Sequence, residues 1–274
     1  MKKVQFSFIN FAVFVIIIIL CFPLQSSGAE KIKLIMCWES WEPFCYKDDK
    51  NQLIGLDIEI VTHIFNNSGY SVEYREAPWS RQLKWLEEGE IHIGASAMKT
   101  PEREAFAYFS KPYQKETYIM FVRKGESSKY KLKNLQDIIG SSFQFGVMRA
   151  SLYGDEFYRL MKNPKFLEHV EEIATDELNH KKLLAKRFDG FIQEYSRIVT
   201  DGRKSGIFEK VEPLFVVEEN KLHVMFSKKS TTPENVNAFN SGLKKIREDG
   251  TYQKIFRKYN LEKYNMISIG EKTD

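Results

Sequence analysis

Two extended apolar segments, Tyr118 to Arg123 and Leu222 to Ser227, constrain this chain most, because each joins blocks where short strand-like runs alternate with helical patterns. Such alternation specifies α/β architecture. In the first block, Ile32 to Cys37 reads as a strand. Asp57 stands where it can cap a helix whose apolar residues Ile58, Val61, Ile64 and Phe65 recur at helical spacing, ending near Gly69. Val72 to Arg75 reads as a strand, Ser80 to Glu88 as a short helix closed by Gly89, and Ile91 to Ala95 as a strand. In the second block, Phe143 to Met148 and Phe188 to Gln193 read as strands. Helices are expected over Ser151 to Lys162 and over Asp176 to Lys186, the latter with Leu178, Leu183 and Leu184 as its apolar residues. The last helical stretch, Pro233 to Tyr259, breaks at Gly250.

The chain is therefore expected to leave a first lobe near residue 123, build a second, and return near 222. Lobe 1 comprises residues 30–122 and 223–274, and lobe 2 comprises residues 123–222. Two strands crossing between lobes make a hinge, and the cleft between lobes is where a small ligand binds.

The first 29 residues stand apart from this pattern. Lys2 and Lys3 precede an almost unbroken apolar run from Phe11 to Phe22, and Ser27-Gly28-Ala29 supplies small residues for cleavage before Glu30. This is the pattern of a secretory signal peptide. Leu20 before Cys21 is not the small residue of a lipoprotein signal. Removal of 1–29 takes away two lysines and no acid, lowering the formal charge from +4 to +2. That is too little charge, too evenly spread, for a nucleic-acid partner. The mature part keeps Cys37 and Cys45. An exported chain can pair them across a short loop, and two buried thiols are an equal alternative.

Motifs for chemistry are sparse. The histidines at 63, 92, 169, 180 and 223 are scattered, and there is no His-Glu-x-x-His helix, Cys-x-x-Cys pair, phosphate-binding glycine loop or Gly-x-Ser-x-Gly elbow. No metal, cofactor or catalytic residue is expected. Thr100-Pro101-Glu102-Arg103 is more informative. Thr100 suits a helix cap and Pro101 the first helical position. Arg103 then sits in the opening turn, where a carboxylate meets its fork and main-chain donors; an ordinary capped helix with a solvated arginine fits the same residues.

Several segments occur in the order of one family: Trp41-Glu42-Pro43-Phe44, Gly55-Leu56-Asp57-Ile58-Glu59-Ile60, Pro78-Trp79, the Thr-Pro-Glu-Arg stretch with Phe109-Ser110-Lys111-Pro112-Tyr113, Phe188-Asp189-Gly190-Phe191, and Asp249-Gly250-Thr251-Tyr252. On these the chain resembles, from about residue 31 to 262, the family 3 extracellular solute-binding proteins. They serve amino-acid ABC importers and share a fold with the ligand-binding core of ionotropic glutamate receptors. The resemblance implies a type II periplasmic binding fold: two lobes, each a mixed sheet flanked by helices, on a two-strand hinge. By position it makes Arg103 the residue that grips a ligand α-carboxylate, with Ser96 lining the same pocket. Trp41 and Trp79 match aromatic walls, Ser151 the hydroxyl that completes the carboxylate site, and Glu194 the acid that pairs with the ligand ammonium. Each also has a plainer reading: core aromatics for the tryptophans, a helix cap for Ser151, and an exposed strand-end charge for Glu194.

Three positions depart from the family pattern. Met98 replaces a usual Ser or Thr, Arg149-Ala150 replaces a common Gly and brings a second cation toward the cleft, and Trp38 stands where several binders of basic amino acids carry an acid. These departures point away from lysine and arginine, toward an apolar or aromatic amino acid, a dicarboxylate-like anion or another small carboxylate. The implied partners are that ligand and a membrane ABC permease, and the protein is expected to be a periplasmic monomer, not an enzyme. Two alternatives share the same pocket: a periplasmic cyclohexadienyl-type dehydratase using Glu194 as general acid, and a ligand sensor acting through a partner signalling protein.

Overall fold

Strand β1 (Ile32–Trp38) is the element around which the first half assembles. In this computed structural model, which describes residues 31–149 and 153–267, it lies between two parallel neighbours, β4 (Tyr70–Glu76) and β5 (Ile93–Met98). Parallel neighbours need crossover connections. Helix α1 (Leu56–Asn66) supplies the first, after the small hairpin of β2 (Tyr46–Lys47) and β3 (Leu53–Ile54), and α2 (Trp79–Glu88) supplies the second. The short helix α3 (Pro101–Phe106) and strand β6 (Ala107–Phe109) follow.

Strand β7 (Gln114–Arg123) leads into the second half, which contains β8 (Phe145–Met148), α4 (Gly154–Leu160), α5 (Pro164–Leu167), β9 (Val170–Ile173), α6 (Asp176–Leu184), β10 (Gly190–Glu194) and α7 (Tyr195–Ser205). The 17-residue strand β11 (Val211–Ser227) returns, and α8 (Pro233–Glu248) and α9 (Thr251–Lys258) pack on the first half. The main sheet runs β4-β1-β5-β11-β7-β10-β8-β9, with β6 also on β11. It is mixed: β7 and β11 are antiparallel to their neighbours, and the outer strands of each half are parallel. Separate cores lie on the two sides, one around Phe65, Phe226, Phe239 and Tyr252, another around Met120, Phe145, Phe157 and Ile192.

Strand pairing changes hands within β7 and β11. Residues Tyr118–Glu194 and Val122–Gly190 pair β7 with the second half, and Leu222 onward pairs β11 with β5 and β6. On the outgoing strand, pairing with the second half starts at Tyr118. The first two-thirds of β11 did not read as strand, because Pro213 and the acidic run Glu218-Glu219 break the apolar pattern. Its ladder to β7, with shifts after Pro213 and Val216, holds those residues extended nonetheless.

One local expectation needs correction. Asp57 does not cap α1. The cap is Gly55, without a side-chain bond, and its φ of 133° brings the chain so close to Phe44 that a Cβ would lie 2.1 Å from that residue's carbonyl oxygen. Two residues on, Asp57 points into the interior and is 1% exposed. In α6 only Leu183 of the three leucines is buried, because Leu178 and Leu184 face outward. Of the two alternatives open for Cys37 and Cys45, the structure has the free buried thiols. The N-terminal run 1–29 and residue Ser151 lie outside the described residues, as does Ala150.

Candidate functional site

Two adjoining cavities open along the middle of the sheet, of about 270 Å³ and about 260 Å³. Trp41 and Glu116 line both. The first is otherwise built from the first half, and the second from the second half.

Arg103 lines the first cavity. Thr100 caps α3 as its sequence predicts, accepting from the Arg103 N–H at 3.4 Å, and Pro101 takes the first position. The guanidinium donates through Nη1 to the Met98 carbonyl at 2.8 Å and lies 5.5 Å from the centre of the Trp79 ring. Both contacts are with neutral groups, and they leave most of the five N–H donors of the fork for another acceptor. Burial works against its charge, which favours an anion beside it. Trp79 opens α2, its N–H bonded to the Glu39 carboxylate at 2.9 Å. Trp41, Trp79 and Met98 are half-buried and line the cavity, as does Trp38 at 5% exposure with Lys47 Nζ 5.4 Å from its ring centre.

Ser96 also lines this cavity, at a φ of 52°, a left-handed conformation that costs a non-glycine residue energy. It is held there from beneath. Its N–H donates to Tyr113 Oη at 3.0 Å, and its hydroxyl donates to Asp57 Oδ2 at 2.5 Å. Asp57 also accepts from Tyr113 Oη at 2.6 Å, Gln114 Nε2 at 2.8 Å and, more loosely, the Cys45 thiol at 3.8 Å. Burial raises the Asp57 carboxyl to about 6, partly offset by these donors. The Ser96 hydroxyl is therefore committed to the floor of the cavity, its proton to Asp57 and its oxygen to Gln114 Nε2, which donates to it at 2.5 Å.

The second cavity is lined by Glu116, Tyr118, Tyr153, Asp176, Glu194 and Arg197, with neighbours from β8 and β10. Glu194 is not an exposed strand-end charge. It is 5% exposed and caps α7, accepting from the Arg197 N–H at 3.2 Å, Asn265 Nδ2 at 3.3 Å and the Ser196 hydroxyl. Burial nevertheless holds its carboxyl above the ordinary range. Arg197 Nη1 lies 3.3 Å from Asp176 Oδ2. Glu116 accepts from Asn220 Nδ2 at 3.3 Å, and burial, then the Glu194 charge, push it up to about 7.

The structure thus brings Arg103, Ser96, Met98, Trp38, Trp41 and Trp79 to one cavity and Glu194 to the next. It does not bring Arg149 to either. That side chain is 67% exposed at the end of β8 and lies 3.8 Å from Glu172, an acid on the adjacent β9. Among the described residues no group of three or more His, Cys, Asp or Glu side chains could hold a metal ion. Sequence reading missed Glu116, Tyr118, Tyr153, Asp176 and Arg197. Glu116 and Tyr118 share a strand face by the period of two, but that signal was hidden because the strand was started at Tyr118.

The sequence profile described as "Bacterial extracellular solute-binding proteins, family 3" matches residues 34–262. The chain is 26% identical over 246 residues to the arginine-binding extracellular protein ArtP of Bacillus subtilis, covering 86% of this chain and 89% of that protein. Its fold is similar to the L-cystine solute receptor of Neisseria gonorrhoeae in the unliganded open conformation, with a TM-score of 0.68 at 18% identity, over 85% of this chain and 94% of the receptor. An ancestral cyclohexadienyl dehydratase is also similar, with a TM-score of 0.58 at 20% identity, over 94% of this chain and 98% of that one.

Proposed function

Since the chain belongs to the bacterial extracellular solute-binding proteins of family 3, we propose that it captures a small carboxylate-bearing ligand, an amino acid or a relative, between two closing lobes and delivers it to a membrane ABC permease. The observation that carries this reading is the Arg103 guanidinium, lining a cavity with a carbonyl and an aromatic ring as its neighbours. The similarity to a protein named for arginine binding supports an amino acid as the ligand. Arg103 holds the carboxylate from the first lobe, beside Ser96. Glu194 takes the ammonium from the second. Neither lobe alone surrounds the ligand, so a bound ligand favours the closed form and draws an existing equilibrium toward it. The protein works as a periplasmic monomer after loss of residues 1–29.

The test is a thermal-shift screen of amino acids and small carboxylates, followed by calorimetry, since a ligand specific to the folded state raises the melting temperature. Failure of every amino acid and carboxylate to shift the transition would overturn the reading. A second reading, dehydration of a cyclohexadienyl acid, has one specific support: the buried Glu194 carboxyl is held toward its protonated form, as a general acid requires. Prephenate or arogenate incubated with the protein and followed by ultraviolet absorbance separates the two, since only an enzyme forms the aromatic product.

A further inference from the structure

Glu116 has no task in the reading above, yet it stands at the junction of the two cavities. It lies on the part of β7 where the sheet passes between halves, opposite Asn220 of β11. Its hydrogen-bond partners, the Asn220 amide and the Tyr118 phenol, are neutral. Lining the second cavity with it are Glu194, whose charge acts on it, Tyr153 and the Asp176–Arg197 pair, and lining the first are Arg103, Asp57 and Glu39. Around the two cavities five carboxylates therefore meet two guanidiniums, and one of those guanidiniums already has Asp176. Carboxylates crowded at low dielectric repel, and a cation placed between them relieves that repulsion.

We propose that Glu116 is a specificity-determining residue that selects ligands bearing a second positive charge, such as an amino acid whose side chain ends in an amine, guanidinium or imidazolium. The proposal rests on the cleft being the ligand site. With the carboxylate on Arg103 and the ammonium on Glu194, the second cation meets Glu116. The hinge strand then supplies the acid that Trp38 does not, reversing the expectation drawn from position 38. A dicarboxylate finds too many like charges here. Because the Glu116 carboxyl is held near 7 without ligand, a cation that settles beside it displaces a proton.

Isothermal titration of the full-length mature protein with L-arginine, L-lysine, L-leucine and succinate tests this. The wild type is expected to bind L-arginine or L-lysine at least about tenfold more tightly than L-leucine, and succinate least. Glu116→Gln should weaken the dibasic ligand by about ten- to a hundredfold, the range of one hydrogen bond to a charged group, and L-leucine by less than about threefold. Glu116→Asp, which keeps the charge, should recover most of the loss. Titrations in buffers of different ionisation heat should show release of up to about half a proton at pH 7, absent in Glu116→Gln. Equal weakening of all ligands by Glu116→Gln, or a wild type that prefers L-leucine or succinate, overturns the role of Glu116 and leaves ligand capture standing. A wild type that binds none of the four also overturns the role of Glu116, and only failure of the wider amino-acid and carboxylate screen sinks the capture reading with it. Thermal unfolding of each variant shows that a loss of binding is not a loss of fold.

Discussion

The two adjoining cavities both bury carboxylates, but they treat them differently. In the first, Asp57 is 1% exposed and receives donors from Ser96, Tyr113, Gln114 and Cys45. Those bonds also fix Ser96 in its left-handed backbone, so the acid serves as scaffold. In the second, Glu194 is well supplied with donors, but Glu116 beside it has only neutral partners and a like charge across the cavity. A buried polar network that is complete stiffens a fold, and one that is incomplete awaits a partner from outside. The first half therefore presents a cation over a carboxylate that is supplied with donors, and the second presents anions whose charge the fold has not balanced.

The sharpest way to break this contrast is Arg103→Ala. It should lower affinity for a carboxylate ligand at least about a hundredfold while the melting temperature moves little, because the fold uses only one of its hydrogen bonds. Calorimetry with full retained affinity would remove the arginine from its role. Asp57→Asn is next. It turns an amide donor toward the donors of Tyr113 and Gln114 and should cost about 2 kcal/mol of stability. A urea midpoint equal to wild type would show that the network is not scaffold.

Glu194→Gln should weaken amine-bearing ligands about tenfold and spare carboxylates that lack an amine. Equal losses for both would count against the pairing with ammonium. Glu116→Gln should do the opposite to the fold, stabilising the unliganded protein by on the order of 1 kcal/mol at pH 8. The sign follows from a folded value of about 7 against an unfolded value of about 4.3: ionisation is harder in the fold, so the wild type loses stability as pH rises through 7. The advantage of Gln should shrink below pH 7 and vanish under the unfolded value, and thermal melts from pH 4 to 8 showing no such trend would contradict it. The smallest expected effect is none. Cys37 and Cys45 are free, buried and hard to ionise, the Cys37 thiol being pushed up to about 11, so dithiothreitol should leave the melting temperature unchanged.

Much of the first half was legible residue by residue. Thr100 and Pro101 announced α3, Gly89 closed α2, and the apolar spacing of Ile58, Val61, Ile64 and Phe65 gave the buried side of α1. These signals are local, and local backbone preference expresses them. The missed features depend on partners distant in sequence. Strand β11 is held by a ladder to β7 a hundred or so residues earlier, and that ladder overrides Pro213 and the acidic run. Leu178 and Leu184 carried the right residue type in α6 but lie on the side that nothing covers.

The same division holds at the site. A cap, a proline and an arginine at fixed offsets are a one-dimensional pattern that singles out Arg103, and the family resemblance adds Ser96, the tryptophans and Glu194 by position. The resemblance also nominated Arg149, which the sheet edge turns toward Glu172 and away from the cavities. What sequence alone determined was an α/β chain with a guanidinium on a short capped helix. Tertiary structure decided which charges meet. Glu116 and Glu194 stand 78 positions apart, and only the pairing of β7 with β10 and β11 brings them to one cavity, where burial makes each feel the other's charge.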